Sequence, residues 1–310
     1  MKDVLNRLIN HETISAAEAK QILINISKGD YNQSQIAAFL TIFMMRTVTL
    51  EELRGFRDAL LELCIPVDLA AYNPIDLCGT GGDGKDTFNI STLSSFVTAA
   101  AGVPVAKHGN YGVSSACGSS NVLESLGVKF SNDVDFLERA IATTGICVLH
   151  APLFHPAMKN VAPIRRELGV KTFFNMLGPM VNPAFPKNQI VGVFNLELLR
   201  LYNYLYQDSD KNYSIVHDLG GYDEISLTNT VKIVSNHSEV LFSAEDLGLQ
   251  NNTQDAIFGG NTVAEASKIF KTIISGNGTE AQNNVVCTNA VLAMTTAKKI
   301  AHIKSYELAK

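Results

Sequence analysis

A glycine-rich loop that follows an apolar run constrains the fold of this chain more than any other feature. Residues 75–78 (Ile-Asp-Leu-Cys) are typical of a buried strand, and residues 79–84 (Gly-Thr-Gly-Gly-Asp-Gly) place four glycines directly after it. Residues 89–100 begin as Asn-Ile-Ser-Thr and continue as an Ala-rich stretch that predicts a helix. Glycines let the backbone approach an anion, and a helix start leaves N–H groups unpaired. The pattern predicts a phosphate site, although a tight loop without a ligand fits it equally well.

The loop matches neither of two common nucleotide-binding motifs closely. Lys85 is not followed by Ser or Thr, as a P-loop requires. Gly79, Gly81 and Gly84 have the spacing of a dinucleotide-binding fingerprint, but residues 85–89 intervene before the predicted helix. The dinucleotide interpretation is therefore weak.

Composition excludes several functional classes. The 310 residues are 46% hydrophobic and contain no apolar run near the ~20 residues of a membrane span. The first seven residues lack the apolar core of a signal peptide. Five scattered cysteines without a Cys-x-x-Cys pair argue against a disulfide framework or zinc site and favour a reducing cytoplasm. The net charge of −5 offers no general attraction to nucleic acid or an anionic membrane, so neither is an expected partner.

The N-terminal residues 1 to about 68 predict helices only. Capping-box patterns at 15–18 and 49–52 each precede apolar residues at helical spacing, and Gly29 is a predicted helix stop. Ser34 is the predicted start of a further helix. We therefore expect a small helical domain at this end of the chain.

From residue 72 the pattern alternates between strands and helices. This alternation predicts an α/β domain over 72–310 with a mostly parallel sheet flanked by helices. Ligands in such sheets bind beyond the carboxyl ends of the strands. The predicted strands are 75–78, 103–106, 128–130, 146–149, 189–194 and 213–216, with a hairpin at 231–234 and 239–242; the predicted helices include 122–126, 134–142 and 196–205.

The segment from 150 to 186 is too long and irregular for a simple connection. It carries six prolines and the pair Arg165-Arg166. Long irregular segments inside compact proteins are often functional. We expect part of it, about 157–186, to join the N-terminal helices.

A second donor-rich loop is predicted after the strand at 103–106. Lys107 could reach a phosphate as a point charge, and Ser114 and Ser115 could donate hydrogen bonds. A lone Lys-His pair at a strand end is more often simple surface. Two donor-rich loops at equivalent strand ends favour a shared anion site more than either loop alone.

A pair of carboxylates follows the predicted strand at 213–216. Asp223 and Glu224 come after Gly220-Gly221. Hard oxygen ligands suit Mg²⁺, which usually takes one or two carboxylates and completes its shell with water and phosphate. A solvated acidic turn is the alternative.

Together these motifs resemble those of the anthranilate phosphoribosyltransferase family. The resemblance spans roughly residues 1–306 and rests on the motifs at 79–83, 89–92, 107–110, 155–158, 165–169, 175–179 and 223–224. It implies transfer of the phosphoribosyl group of 5-phosphoribosyl 1-diphosphate (PRPP) to the amino group of anthranilate in tryptophan biosynthesis. It also implies a nucleoside phosphorylase/phosphoribosyltransferase-type fold, with a hinge between the two domains. A cytoplasmic homodimer formed through the helical domains is a further implication.

The resemblance also implies a set of site residues. Two Mg²⁺ ions per subunit are expected, with Ser91, Asp223 and Glu224 as ligands. Anthranilate is expected at Gly79, Asn110, His155 and Arg165, where Arg165 can grip a carboxylate bidentately. His155 could equally be structural. Arg165, Asn110 and His108 are the expected catalytic residues; those expected to bind PRPP are Gly79, Gly82, Asp83, Thr87, Asn89, Ser91, Thr92, Lys107 and Ser115.

Some positions depart from the family pattern. Tyr111 and Ala116 replace residues that are often basic, and Cys117 replaces a serine. Losing two cations beside the phosphates would weaken PRPP binding unless serines and backbone N–H groups replace them. Residues 305–310 resemble the first turns of a final helix that the family continues.

Two alternatives stay open at this point. A pyrimidine nucleoside phosphorylase shares the architecture and a Lys-His element but would not need Asp223 and Glu224. A non-catalytic relative that binds nucleic acid is favoured only by Tyr111 and Ala116, and the net charge opposes it.

Overall fold

A computed structural model of the chain describes residues 1–112 and 117–297. The expectations for Ser114, Ser115 and Ala116, and for a final helix at 305–310, lie outside the described residues. The chain forms two compact units. The helical unit comprises Met1–Pro66 and Ala151–Pro183, and the α/β unit comprises Val67–His150 and Ala184–Lys310.

The described residues form strands β1–β7 and helices α1–α13. The strands are β1 Ile75–Gly79, β2 Val105–Gly109, β3 Ile146–His150, β4 Asn188–Gly192, β5 Asn212–Asp218, β6 Val231–Ser235 and β7 Glu239–Phe242. The helices are α1 Lys2–Ile9, α2 Ala16–Lys28, α3 Gln33–Met45, α4 Leu50–Leu63, α5 Ile90–Ala100, α6 Ser119–Ser125, α7 Val134–Thr144, α8 Ala151–Phe154, α9 Ala162–Leu168, α10 Phe174–Leu177, α11 Leu196–Tyr206, α12 Val263–Thr272 and α13 Glu280–Thr296. Short 3₁₀ turns lie at Ala70–Tyr72, Pro156–Asn160, Gly178–Val181, Glu245–Leu247 and Asp255–Ile257.

The helix starts in the helical unit follow the capping patterns with two differences. Ser15 caps α2 by accepting from the Glu18 N–H at 3.2 Å, but the Glu18 carboxylate accepts from Arg7 instead of closing the predicted box. Helix α3 begins at Gln33, so the predicted start at Ser34 was one residue late. Asn32 caps it through a complete capping box that the sequence analysis missed.

Glu52 anchors the start of α4 from a buried position. It forms the predicted capping box with Thr49. Its carboxylate also accepts from the Ile14 N–H at 3.1 Å and from two nitrogens of Arg46. Four hydrogen bonds to one buried carboxylate tie α4 to the segments before α2 and after α3.

An aromatic cluster fills the helical unit. Phe39, Phe43 and Phe56 from α3 and α4 pack edge to face, and Phe173 stacks on Phe56 with ring centroids 4.2 Å apart. Phe173 comes from the proline-rich segment, so that segment supplies part of the core of the helical unit. Burying such rings contributes strongly to stability.

The α/β unit contains one seven-stranded sheet with the order β3-β2-β1-β4-β5-β6-β7. Strands β1–β5 pair in parallel, and β6 and β7 add an antiparallel hairpin as predicted. The carboxyl ends of β1, β2, β4 and β5 therefore lie along one edge. The glycine loop follows β1 at that edge.

Two predicted strands were wrong in detail. Strand β2 occupies Val105–Gly109 instead of 103–106, and residues 128–130 do not form a strand. The helices within residues 1–112 and 117–297 all fall short of the length and hydropathy that crossing a bilayer requires.

Candidate functional site

The glycine loop after β1 has a backbone path that favours glycine. Gly81, Gly82 and Gly84 have φ values of 64°, 76° and 71°, in the left-handed region where a side chain is strained. The loop is attached to the sheet by the Thr80 N–H, which donates to the Gly192 carbonyl at 2.9 Å. The sequence therefore fixes a tight turn at the end of β1.

The turn that carries Asp223 lies directly on the ends of β1 and β4. A Cβ atom at Gly79 would collide with the Asp223 carboxylate, and one at Gly192 would collide with the Asp223 carbonyl oxygen. The Gly81 N–H donates to Asp223 Oδ2 at 2.7 Å. Glycine at 79 and 192 thus makes room for this acidic turn, and the role of Gly192 was missed in the sequence analysis.

The start of α5 brings a second backbone donor to the same place. Asn89 is the cap residue, and the Ser91 N–H donates to Glu224 Oε1 at 2.8 Å. The Asn89 side chain donates to the Cys117 carbonyl at 3.1 Å. Thr92 follows in the first turn, and its buried hydroxyl has no hydrogen-bond partner within the described residues.

A cavity of about 20 Å³ lies where these elements meet. Gly79, Ser91, Asp223 and Glu224 line it together with Leu77, whose carbonyl accepts from Lys107 Nζ at 2.7 Å. The remaining lining residues are Cys78, Ile190, Gly192, Val216 and Asn289. This volume has room for about one water molecule. The structure therefore places the predicted glycine loop, helix start and carboxylate pair around one point.

Burial and like charge dominate the electrostatics of this cavity. Burial raises the pKa of Asp223 to about 7, with the nearby Asp83 carboxylate as the next cause. Burial raises the pKa of Glu224 to about 8, and Asp223 adds to the effect. Burial also raises the pKa of Asp83, which hydrogen-bonds to Asp223. Desolvation and mutual repulsion therefore disfavour the ionised forms of Asp223 and Glu224.

The donor set fits a hard divalent cation. Within the described residues, no group of three His, Cys, Asp or Glu side chains forms a metal cage by itself. Mg²⁺ does not need one, because it usually binds one or two carboxylates and takes its other ligands from water and phosphate. Asp223 and Glu224, with the Ser91 hydroxyl beside Glu224, match that requirement.

Lys107 and His108 were predicted to lie in a loop after the strand. They lie within strand β2 instead. Lys107 is 2% exposed and His108 is 3% exposed. The His108 N–H donates to Asp76 Oδ1 at 3.1 Å, and Asp76 also accepts from Gln189. Lys107 thus reaches the carbonyl of Leu77, a residue that lines the cavity, instead of solvent.

Asn110 and Thr87 lie in the segments that flank these elements. Asn110 follows β2, and its Oδ1 accepts from the Tyr111 N–H at 2.8 Å. Thr87 forms an isolated antiparallel bridge with Phe258. Gly82 and Asp83 are half-buried in the glycine loop.

Arg165 and His155 belong to the helical unit. The Arg165 guanidinium lies 5.3 Å from the centroid of the Phe174 ring and donates to Asn175 Oδ1 at 3.2 Å. Burial lowers the pKa of Arg165. Burial lowers the pKa of His155 to about 4, so the imidazole is neutral at pH 7.

Asn289 is a site residue that the sequence analysis missed. Its side chain accepts from the Ile225 N–H at 3.2 Å and donates to the Ile225 carbonyl at 2.9 Å. It thereby fixes the backbone next to Glu224 from α13. The available signal was a single Asn inside a largely apolar helical run, residues 285–294.

A larger cavity, about 860 Å³, lies at the opposite edge of the sheet. Strands β5–β7 and the end of α13 form its mostly apolar walls. We place the functional site at the smaller cavity, because the carboxylates and backbone donors converge there and ligands bind at the carboxyl ends of such strands.

The chain is similar to known proteins over its whole length. Two family models match: the glycosyl transferase family helical bundle domain over residues 2–64 and its a/b domain over residues 71–307. The anthranilate phosphoribosyltransferase of Flavobacterium psychrophilum is 68% identical over 310 residues, which covers 100% of this chain and 94% of that protein.

Solved structures resemble the whole chain as well. Anthranilate phosphoribosyltransferase from Thermus thermophilus has a TM-score of 0.90 at 32% identity, covering 99% of this chain and 93% of that one. The Saccharomyces cerevisiae protein of that name, in complex with PRPP and Mg, shares the fold with a TM-score of 0.88 at 23% identity, covering 98% and 91%.

Proposed function

Because this chain belongs to the anthranilate phosphoribosyltransferase family, we propose that it transfers the phosphoribosyl group of PRPP to the amino group of anthranilate through the residues gathered at the carboxyl edge of its sheet. The products are N-(5-phosphoribosyl)anthranilate and diphosphate. The pyrimidine nucleoside phosphorylase and the nucleic-acid-binding relative are not supported, since the full-length relatives carry the name of the family.

One observation carries the proposal more than any other. Gly79, Ser91, Asp223 and Glu224 line one cavity although they come from three separate parts of the chain. A diphosphate needs backbone N–H donors, and the glycine loop and the start of α5 offer them at this point. The adjacent carboxylates make chemical sense beside an anion only when a cation lies between them.

Mg²⁺ is the cation that we propose for Asp223, Glu224 and Ser91. A relative of the same fold is described in complex with PRPP and Mg. When bound, Mg²⁺ would neutralise charge on the departing diphosphate. We propose two ions per subunit, since Asp223 and Glu224 offer four carboxylate oxygens at one point and Mg²⁺ takes its remaining ligands from water and phosphate.

The chain's own residues position the donor. In the proposal, the N–H groups of the 79–84 loop and of α5 hold the diphosphate and the phosphoribosyl group, together with Asp83, Thr87, Asn89 and Thr92. The Thr92 hydroxyl is buried and has no partner among the described residues, so a ligand oxygen or water could satisfy it. Lys107 supports the floor of the site through Leu77.

The acceptor reacts without a strong base from the protein. The anthranilate nitrogen forms a bond to C1 of the ribose, and the bond from C1 to the diphosphate oxygen breaks with its electrons leaving on diphosphate. The aryl amine is neutral at pH 7, and the nitrogen then loses a proton to water. We propose that Arg165 binds the anthranilate carboxylate and that Asn110 orients the ring, so positioning supplies much of the rate.

The assembly and location are also proposals. We propose a homodimer formed through the helical unit, because apolar side chains of that unit are exposed, including Ile9 by 62%, Met44 by 41% and Met45 by 83%. The five cysteines are free, which fits the reducing cytoplasm.

A fluorescence assay of anthranilate consumption tests the function. The chain should consume anthranilate only when both PRPP and Mg²⁺ are present. We expect the double variant Asp223→Asn, Glu224→Gln to lose at least about a hundredfold in kcat, since the cation would lose both anionic ligands.

The control variant is Glu239→Gln, an exposed carboxylate on β7. It should retain full activity and Mg²⁺ dependence. Unchanged turnover in the double variant would exclude the metal role of Asp223 and Glu224, and consumption of thymidine with phosphate instead of anthranilate would exclude the proposed substrate pair.

A further inference from the structure

The backbone of residues 110–112 is held by the first turn of α6. The Asn110 carbonyl accepts from the Ser120 N–H at 3.2 Å and from the Ser119 hydroxyl at 3.3 Å. The Gly112 N–H donates to Asn121 Oδ1 at 2.9 Å. Both polar ends of this tripeptide are therefore fixed from one short stretch of helix.

Asn121 serves two donors with one oxygen. Its Oδ1 accepts from the Gly118 N–H at 3.1 Å as well as from Gly112. A Cβ atom at Gly118 would collide with the backbone of Gly112, so the two segments touch at this point. The Asn121 oxygen thus holds together two backbone segments that approach too closely for any other residue at 118.

The middle residue of the tripeptide is anchored independently. The Tyr111 ring packs edge to face on His150 at 4.8 Å, and His150 stacks on Phe130 at 4.4 Å. His150 Nδ1 lies 2.9 Å from the Ser120 hydroxyl. These contacts hold the Tyr111 side chain, whereas the backbone from Asn110 to Gly112 is held by the α6 contacts, including that of Asn121.

We propose that Asn121 is a positioning residue for Asn110, so that the Asn110 amide meets anthranilate in a fixed orientation. The inference rests on the proposed function of Asn110 in binding anthranilate. Asn121 acts only as a hydrogen-bond acceptor in this role, since both of its partners are backbone N–H groups. An oxygen at this position is therefore required, and an amide is not.

That requirement separates two substitutions of similar size. Asn121→Leu removes the acceptor, and we expect kcat/KM for anthranilate to fall about tenfold at saturating PRPP, as two backbone donors lose their partner. Asn121→Asp keeps the acceptor and should stay within about threefold of the parent chain. Equal losses in both variants would overturn the inference.

A double-mutant cycle tests whether Asn121 acts through Asn110. Asn121→Leu should cost little in a chain that already carries Asn110→Ala, because the residue that it positions is gone. Additive losses would overturn the proposal. Asn236→Leu is the matched control, since Asn236 Oδ1 also accepts a backbone N–H, from Tyr213 at the opposite edge of the sheet. It should lower the melting temperature without changing KM for anthranilate.

The experiment also separates this inference from the proposed function. No anthranilate consumption by the parent chain would refute the proposed function. Full activity of the parent chain together with full activity of Asn121→Leu would refute the positioning role alone.

Discussion

Neighbouring residues of the helical unit restrain the Arg165 side chain, for which we propose a role in binding the anthranilate carboxylate. Asn175 accepts from its guanidinium and also from the Thr172 N–H, and Phe174 covers its planar face. These contacts restrict the side chain before any ligand binds, which lowers the entropy cost of gripping a carboxylate. A lysine at this position would keep the positive charge but would lose the planar guanidinium group that can donate two parallel hydrogen bonds to one carboxylate.

Arg165→Ala should raise KM for anthranilate about 10- to 100-fold, because a bidentate, charge-assisted contact is lost. KM for PRPP should change far less. Steady-state kinetics with each substrate varied in turn measures both values. The neighbouring exposed Arg166→Ala is the control and should change neither, while equal increases for the two substrates would reject the assignment of Arg165.

The residue type predicted the local structure correctly where the backbone geometry requires that residue type. The glycines at 81, 82 and 84 have positive φ, as a tight strand-end turn requires. Asn289 and Gly192 could not be predicted, since their partners, Ile225 and Asp223, are distant in sequence. Such roles depend on which segments the sheet brings together.

At the scale of elements, β2 shows why polarity misled the prediction. Lys107 and His108 were expected beyond the strand because charged side chains rarely occupy buried strands. Lys107 lies inside it because the Leu77 carbonyl accepts from its ammonium group, and the Asp76 carboxylate accepts from the backbone N–H of His108. Those partners come from β1, so the end of β2 depends on the pairing of the sheet as well as on its own residues.

The Glu52 carboxylate at the start of α4 predicts how the stability of the fold depends on pH. Burial alone would raise the pKa of Glu52, but hydrogen bonds from Arg46, Thr49 and Ile14 hold the pKa below its usual value. A carboxylate with a lowered folded pKa stabilises the fold above its unfolded pKa of about 4.3, and this contribution is lost as the pH falls through the folded value. Glu52→Gln should therefore be about 3 kcal/mol less stable than the parent at pH 7, and the difference should narrow below about pH 4.

Urea unfolding followed by circular dichroism at pH 7, 5 and 3.5 measures that difference. Glu51→Gln, which alters an exposed carboxylate on the same helix turn, is the control and should show almost no change. A stability difference for Glu52→Gln that does not vary with pH would contradict the mechanism.

At the scale of the molecule, capping patterns and apolar residues at helical spacing predicted the helical unit, and alternation of strands and helices predicted the mostly parallel sheet. The strands from β1 to β5 are short, and the antiparallel hairpin was visible as two runs close in sequence. Strand order was not readable, since β4 pairs with β1 across more than a hundred residues. Only the folded sheet shows that the glycine loop and the acidic turn are neighbours.

The proposed dimer gives a prediction at this scale. Sedimentation should give about twice the 33.6 kDa mass of one chain, and Met45→Glu should shift the mass toward the monomer by placing a charge in the apolar contact. Leu241→Glu, at a position 62% exposed on β7, is the matched control and should leave the mass unchanged. A dimer that persists in Met45→Glu would exclude this face.

The carboxylates of Asp223 and Glu224 already occupy the N–H groups of Gly81 and Ser91. In the proposed site, an incoming diphosphate would therefore compete with carboxylates that the protein itself provides. The affinity for diphosphate would then reflect the replacement of carboxylate oxygens by phosphate oxygens on the Gly81 and Ser91 N–H groups. A cation that draws the two carboxylates away from these N–H groups would make the replacement favourable. Donor and cation should consequently strengthen each other's binding, as thermodynamic linkage requires whenever one ligand removes an obstacle to the other.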